Sequence, residues 1–417
     1  MLFADTILFI RGATRSGGFL EASEAGARNL QLADINDAST ASQNTGWGTL
    51  AQALRDEGFV VEQMIEPKGA NAPATGFVDG RPIRFEELDL TKYAAIVFAS
   101  NNARYAKPSI DAIENYVKGG GGALFISDAN FGSNWADAPT SDQQFLDRFG
   151  LTVNQDNGVY SLTRTGGDFA AADHPVLIGV DEFDGEGVSP VVVPQTPPAG
   201  VTITRVVGAR TQTRNNNGDP GSLRPVTNRD AALVLATVGD GRVATYFDRN
   251  TFFNDNGRGS DITRFDNRQL AVNLFTWIAD NTPPAATDAT FTQGAPSEVR
   301  ITFNDNLFGT LTRRDVLLRN AIDGTAIPRE RWSFLATDSP EGTELLVRVK
   351  GAQPPGVYQL QINPGRIWDD SGNPSVARVR FNFTIADVSS VIATAHDERG
   401  LGVSPEQSPG APGLRRR

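Results

Sequence analysis

The 417-residue chain contains no cysteine. Disulfides, thiolate metal sites and cysteine nucleophiles are therefore excluded together. Histidine is almost as scarce, with only His174 and His396. His396 falls in a Ser-, Pro- and Gly-rich tail, so imidazole-dependent chemistry rests on His174 alone. Lysine is confined to Lys68, Lys92, Lys107, Lys118 and Lys350, and arginine carries most of the positive charge. We read that bias as genomic rather than functional. No apolar run is long enough to span a membrane. The net charge of −11 argues against nucleic acid or an anionic membrane as partner. A chain without stray thiols fits an exported protein. The first residues, MLFADTILFIRG, nevertheless show neither a basic n-region nor a small-residue cleavage site. The expected location is extracellular or at the cell surface, with any signal peptide lying outside this chain.

What is present points to a soluble globular protein: 39% of residues are hydrophobic and 21% charged, enough for a sizeable core. The length predicts two or three domains. The first is organised around Tyr116–Gly132, YVKGGGGALFISDANFG. A helix over Ser109–Lys118, with Ile110, Ile113 and Val117 on one face, runs into the glycines at 119–122. Glycine stops helices because it adopts left-handed conformations without a Cβ clash. Ala123–Ile126 is a short apolar run, as expected for a strand covered on both faces.

Similar runs at Thr6–Ile10, Phe59–Met64 and Ala94–Ala99 alternate with helical patterns at Asn44–Gly58 and Thr140–Phe149. In the first of these, Trp47, Leu50, Ala51 and Leu54 face inward. The alternation predicts a parallel sheet with helices on both faces. Ile65–Asp89 reads as an irregular excursion, Leu151–Gly187 as loop-rich, Val188–Val207 as extended and Arg210–Asp230 as a turn-rich insertion. Ala231–Val238 and Arg242–Phe247 form a hairpin signal around Gly239-Asp240-Gly241, and Asn267–Ile278 is a helix. The expected division is an α/β domain over 1–279, a Pro-rich linker over 280–287, a domain over 288–386 and a disordered tail over 387–417. In the third segment the hydrophobic period changes to two, at Ser297–Phe303, Glu344–Val349, Gly356–Ile362 and Ala377–Ile385. Short alternating strands separated by turns predict an all-β sandwich.

Residues about 5–279 resemble the class I glutamine amidotransferase-like fold, in particular its non-glutaminase, ThuA-like branch. The carriers are ILFIRG, YVKGGGGALFISD, HPVLIGV at His174–Val180 and GRVATYFDRN. The resemblance implies a flavodoxin-like parallel sheet flanked by helices. Residues about 286–386 resemble a bacterial Ig-like domain of the S-layer type, through VRITFNDNL, PPGVYQLQI and IWDDSGNPS. Active amidotransferases carry a cysteine at the elbow after the glycine-led strand and a His–Glu pair after a later strand. Here the elbow falls on Ser127 or Asp128, and the late strand ends in Asp248-Arg249-Asn250. Glutamine hydrolysis, which needs a thiolate and an imidazole, is not expected.

Open α/β sheets place their sites beyond the carboxyl ends of the strands. Arg11, Ser16, Asn101, Asn102, Ser127, Asp128, Asn130, Asp248 and Arg249 all fall there. They would form either a polar pocket for a sugar, polyol or anion, anchored by Arg11 or Arg249, or an internal network such as Asp128 with Arg249. Phe131, Trp135, Phe252 and Phe253 flank the position, as core or as stacking surfaces. If the protein is an enzyme, Ser127 or Asp128 with His174, oriented by Asp173 or Asp248, would be a hydrolase on glycan or ester substrates. Asp255 and Asp261 are weak calcium candidates, as is the turn Asp369–Asn373, but the spacing is not that of an EF-hand. No other cofactor is expected. The leading expectation is a non-catalytic surface protein whose partner is a polysaccharide or another surface protein.

Overall fold

The sequence ILFI at 7–10 is buried on every residue, which a strand achieves only when both faces of its sheet are covered. In the computed structural model this strand, β1 (Thr6–Arg11), lies in a nine-stranded, mostly parallel sheet. The structure describes residues 6–11, 33–65 (save 43), 82–100, 105–127, 138–154, 159–209 (save 187), 226–280 (save 256 and 258) and 282–387 (save 308, 340, 341 and 370). Residues 66–81 of the 65–89 excursion, most of the 210–230 insertion and the tail beyond 387 lie outside these residues. The chain divides into two units, Met1–Asn281 and Thr282–Arg417.

In the first unit, α1 (Gly48–Asp56) and β2 (Val60–Ile65) follow β1. Next come β3 (Ala95–Ser100), α2 (Lys107–Lys118), β4 (Gly122–Ile126) and α3 (Ala138–Leu146). The chain continues through β5 (Thr152–Val153), β6 (Val159–Thr163), β7 (Glu182–Glu186), β8 (Val191–Val192) and β9 (Val201–Gly208). The hairpin β10 (Asp230–Val238) and β11 (Gly241–Tyr246) leads to α4 (Asn267–Ala279). Strand order is β2-β1-β3-β4-β11-β10-β8-β5, with β9 also paired to β10. The first five strands in that order are parallel, and β10 runs against β11.

Alternation along the strands sorts the core into two layers. Ile7 and Phe9 pack with Trp47 just before α1, with Leu50 and Leu54 of α1 and with Leu270, Leu274 and Phe275 of α4. Leu8 and Ile10 share the other layer with Ile113 and Val117 of α2 and Phe145 and Leu146 of α3. In that layer Phe98 and Phe125 stack at 4.7 Å. Helix α1 begins later than the apolar pattern predicts, because Asn44 is taken into a bridge with Asp255.

The glycine run does more than end a helix. Gly120 sits at φ +110°, the one left-handed step of the turn. A Cβ on Gly121 would lie 2.2 Å from the Tyr116 ring, one on Gly122 2.0 Å from the Ile278 carbonyl oxygen, and one on Gly241 2.0 Å from that of Val117. The ends of α2 and α4 thus rest directly on strand backbone.

One region departs from expectation. The 151–187 region is not merely looped: β6 and β7 form a hairpin of their own. Its second strand, EFDGE, has little β-propensity. It is held by Asp184, which accepts from Ser260 Oγ at 2.5 Å and Asn267 Nδ2 at 2.9 Å and pairs with Arg264 at 2.9 Å. Within HPVLIGV, Pro175–Leu177 is a 3₁₀ turn.

The second unit is all-β. One antiparallel sheet holds β12 (Ala286–Thr292), β13 (Ser297–Phe303), β15 (Trp332–Ser339) and β16 (Gly342–Val349). The other holds β14 (Val316–Asn320), β17 (Gly356–Ile362) and β18 (Val379–Ile385). Their orders are β12-β13-β16-β15 and β14-β17-β18. Inward residues of both, among them Val299, Ile301, Trp332, Val347, Leu360 and Phe383, form one core. β12 starts at Ala286, inside the segment expected to be linker.

Gly122→Ala should destabilise the first unit by roughly 3 kcal/mol, the upper range for overpacking against backbone that cannot move aside. Denaturant unfolding of the whole chain checks this, with Gly58→Ala as a control. Unlike Gly122, Gly58 has positive φ but open space around its Cβ, so its variant reports the cost of backbone conformation without a clash.

Candidate functional site

β1 is flanked by β2 on one side and β3 on the other, so the connections leaving β1 towards β2 and β3 towards β4 diverge at their carboxyl ends. In open α/β sheets that is where ligands bind. Arg11, the last residue of β1, is only 3% exposed, and its guanidinium pairs with Asp34 at 2.9 Å. Burial lowers its pKa, opposed by the attraction of Asp34 and, more weakly, Asp37.

The N-terminus of α1 opens onto the same edge. A helix start after a first strand is a ready anion site, because its N–H groups lack intrahelical partners. Here Asn254, from the loop after β11, occupies it. Asn254 Oδ1 accepts from the Thr49 N–H at 2.8 Å, and its Nδ2 donates to Asp37 O at 2.5 Å and Asn44 Oδ1 at 2.8 Å. Packing is tight enough that a Cβ on Gly46 would lie 2.6 Å from Asp37 O.

Ser127 follows β4 and extends its ladder, donating its N–H to Tyr246 O at 2.9 Å. Its hydroxyl donates to Asp142 Oδ2 at 3.1 Å, and both side chains are buried. Asp248, after β11, is fully buried. Its Oδ2 accepts from the Glu186 N–H at 2.7 Å and its Oδ1 from the Asn250 N–H at 2.8 Å. Arg249 is 2% exposed. Nearby, the Tyr246 hydroxyl bonds Thr251 at 3.2 Å, and burial raises the phenol's pKa. Phe252 and Phe253 are core residues. Ser16, Asn101, Asn102, Asp128, Asn130, Phe131 and Trp135 lie outside the described residues. Arg11, Ser127, Asp248 and Arg249 therefore do gather at the carboxyl edge, and the bonds described there are to the protein itself.

His174 does not join them, which corrects the Ser127–His174 pairing. Its ring meets Trp277 edge-on at 6.0 Å, and its Nδ1 accepts from the Val176 N–H at 3.3 Å. Arg242 lies close enough to repel its charged form, and the Arg242 guanidinium stacks on Trp277 at 4.7 Å. Arg242 pairs with Gly122, the first residue of β4, whereas Ser127 hydrogen-bonds Tyr246 at the far end of β11. Four residues of strand separate those levels, about 13 Å at the usual rise. The sequence places both residues in one domain, but only the docking of the Pro175–Leu177 turn against α4 decides which edge His174 occupies.

The calcium candidates serve their own turns. Asp255 Oδ1 accepts from the Gly257 N–H at 2.6 Å. Asp261 Oδ1 accepts from the Thr263 N–H at 2.9 Å and from its hydroxyl at 2.7 Å. In the second unit Asp369 takes the Asn373 N–H at 2.7 Å and its Nδ2 at 2.8 Å. Two important roles, those of Asp142 and of Asn254 at the start of α1, escaped the sequence reading. Asp142 stands three, four and seven residues before Phe145, Leu146 and Phe149, so helical periodicity already put it on their inward face. Asn254 carried no such signal, since its partners are over 200 positions away.

No family model matches the chain, and no curated protein matches it. Among solved structures it is similar to the mmIFT52 N-terminal domain, at 12% identity and a TM-score of 0.37, covering 66% of this chain and 97% of that one. It is also similar to a ThuA-like protein from Parabacteroides merdae, at 11% identity and a TM-score of 0.37, covering 67% and 91%.

Burial pushes the His174 pKa down to about 4, with Arg242 adding to the effect. The unfolded chain then binds this proton more readily than the folded one. The contribution is fully present above about pH 6.5 and is lost as pH falls towards 4. His174→Asn keeps an acceptor for the Val176 N–H and removes the titration. Its unfolding free energy should fall less between pH 7 and pH 4, by on the order of 2 kcal/mol after allowing for the solvent His174 still sees. Chemical unfolding at several pH values measures the difference.

Proposed function

We propose that this is a non-catalytic binding or interaction protein of the exported or cell-surface type. On this reading the first unit is a ThuA-like, degenerate amidotransferase-like domain of flavodoxin-like strand order, and the second is an Ig-like domain. The partner is a polysaccharide or another surface protein. The single observation that carries the reading is the state of the carboxyl edge. Asn254 caps the first helix, Ser127 is bound to Asp142, Asp248 to backbone amides and Arg11 to Asp34. A nucleophile needs a base within hydrogen-bond reach and an open approach. Ser127 is 2% exposed, and its hydroxyl donates to a buried carboxylate. The thiol-free composition supports export, and the acidic charge supports a partner other than nucleic acid.

Two measurements test this. Incubation with glutamine and with p-nitrophenyl esters should release neither ammonia nor nitrophenol above blank. Turnover that disappears in Ser127→Ala would overturn the proposal. Ser127→Ala itself should lower stability by about 1–3 kcal/mol, because it leaves the buried Asp142 carboxylate short of one donor. Thermal shift against a panel of neutral and acidic sugars, with and without calcium, then identifies the ligand class, since a ligand that binds only the folded state raises Tm.

A further inference from the structure

The second unit contains a cleft of about 510 Å³, within the range of small-molecule sites. Its floor is apolar and buried: Val316 and Leu318 of β14, Ile327, and Trp332 at the start of β15. The indole Nε1 donates to Ile327 O at 3.2 Å, and Ile327 N donates to Leu318 O at 2.8 Å. These bonds hold the floor in shape without a ligand. Arg313 stacks on the Trp332 ring at 4.7 Å and donates to the Trp332 carbonyl, so this arginine is spent on the floor.

The rim is different. Arg314, Arg329 and Arg366 line the cleft and are exposed. Arg329 Nη2 reaches the Arg314 carbonyl at 3.1 Å, which steadies it at the rim. The acidic lining residue is Asp315, and its Oδ2 already accepts from the Thr312 N–H at 3.0 Å and the Thr312 hydroxyl at 2.5 Å. Among the described residues, other arginines of this unit do find carboxylates: Arg300 pairs with Glu298 and Glu344, and Arg348 with Glu298. None of the three rim arginines does. In a chain of net charge −11 this lining, three arginines against the one carboxylate of Asp315, is a local excess of positive charge around an apolar floor.

We propose that the cleft binds an acidic oligosaccharide, a sugar-sized ligand bearing carboxylate or sulfate groups. The guanidinium forks take the oxyanions in bidentate fashion. Asn363 offers its amide to hydroxyls, and the C–H faces of the rings lie on the exposed apolar lining of Leu317, Ala326 and Pro328. An acidic peptide fits less well, because a peptide gains most by adding a strand to a free sheet edge. The outer edge of β14 is already bonded to residues 325–327, through the Arg319–Ala326 bridge and the Asn320 N–H to Thr325 O at 2.8 Å. The inference deepens the binding role proposed above, resting on it for the expectation that the protein meets carbohydrate. It does not depend on the first unit being inactive.

Calorimetric titration of the full chain at low ionic strength tests it, with trigalacturonate, a sulfated disaccharide, neutral maltotriose and inorganic phosphate as probes. One or both acidic sugars should bind, and which one does separates carboxylate from sulfate recognition. Binding should weaken as salt is added, because exposed charges are screened. In Arg314→Gln/Arg366→Gln it should weaken about tenfold or more, as expected for losing charge-assisted bonds. Both side chains are exposed, so the melting temperature of the variant should match the parent and rule out misfolding. The proposal is overturned if neither acidic sugar binds, if maltotriose or phosphate binds as well as they do, or if the double variant binds unchanged. Such a failure, with no turnover at Ser127, would leave the reading of the first unit standing.

Discussion

The first unit depends on backbone-to-backbone contact at the amino edge of its sheet. Gly122 passes so close to the end of α4, and Gly241 to the end of α2, that neither tolerates a Cβ. Helices normally sit about 10 Å from a sheet, separated by side chains. Here two of them close that distance at their ends, on opposite faces of adjacent strands β4 and β11. Those two strands are locked in register from Gly122–Arg242 to Ile126–Tyr246. Ser127 and Asp248 are consequently delivered to fixed positions at the other edge. The amino edge sets the geometry, and the carboxyl edge receives it.

At that receiving edge, architecture and chemistry part company. Strand order, the helix start after β1 and the turn after β4 are in the places where such sheets hold ligands. The polar groups described there bind one another. Asn254 caps the helix that would otherwise draw an anion, Asp142 holds the Ser127 hydroxyl, and Asp248 organises the loop that carries Arg249. Buried polar groups call for partners, and the bonds described at this edge are made within the unit. The contrast with the second unit is one of charge. Three exposed arginines surround a preformed apolar floor there, so the groups suited to recognition stand away from the sheet whose fold suggested them.

Much of the fold was legible. Runs such as ILFI and ALFI are short, apolar and bounded by turns, and they became fully buried parallel strands because nothing else accommodates such runs between two helical layers. The inward faces of α1, α2 and α4 followed from three- and four-residue spacing, as did the period-two strands of the second unit. EFDGE was not legible as β7, because its strand character comes from Asp184 being fastened by Ser260, Asn267 and Arg264, all distant in sequence. Of the site, the convergence of Arg11, Ser127, Asp248 and Arg249 could be read, since parallel strands bring their ends to one edge. Their partners could not.

By itself the sequence determined the kinds of layer and the chemistry that was out of reach. Hydrophobic period depends on nearest neighbours along the chain, and the lack of a thiol holds whatever the fold. Tertiary structure alone decided that His174 faces Arg242 and Trp277 at the edge opposite Ser127, that Asn254 fills the α1 terminus, and that Arg314, Arg329 and Arg366 ring one cleft. Each of these joins residues far apart in the chain, and packing, not local preference, sets which of them meet.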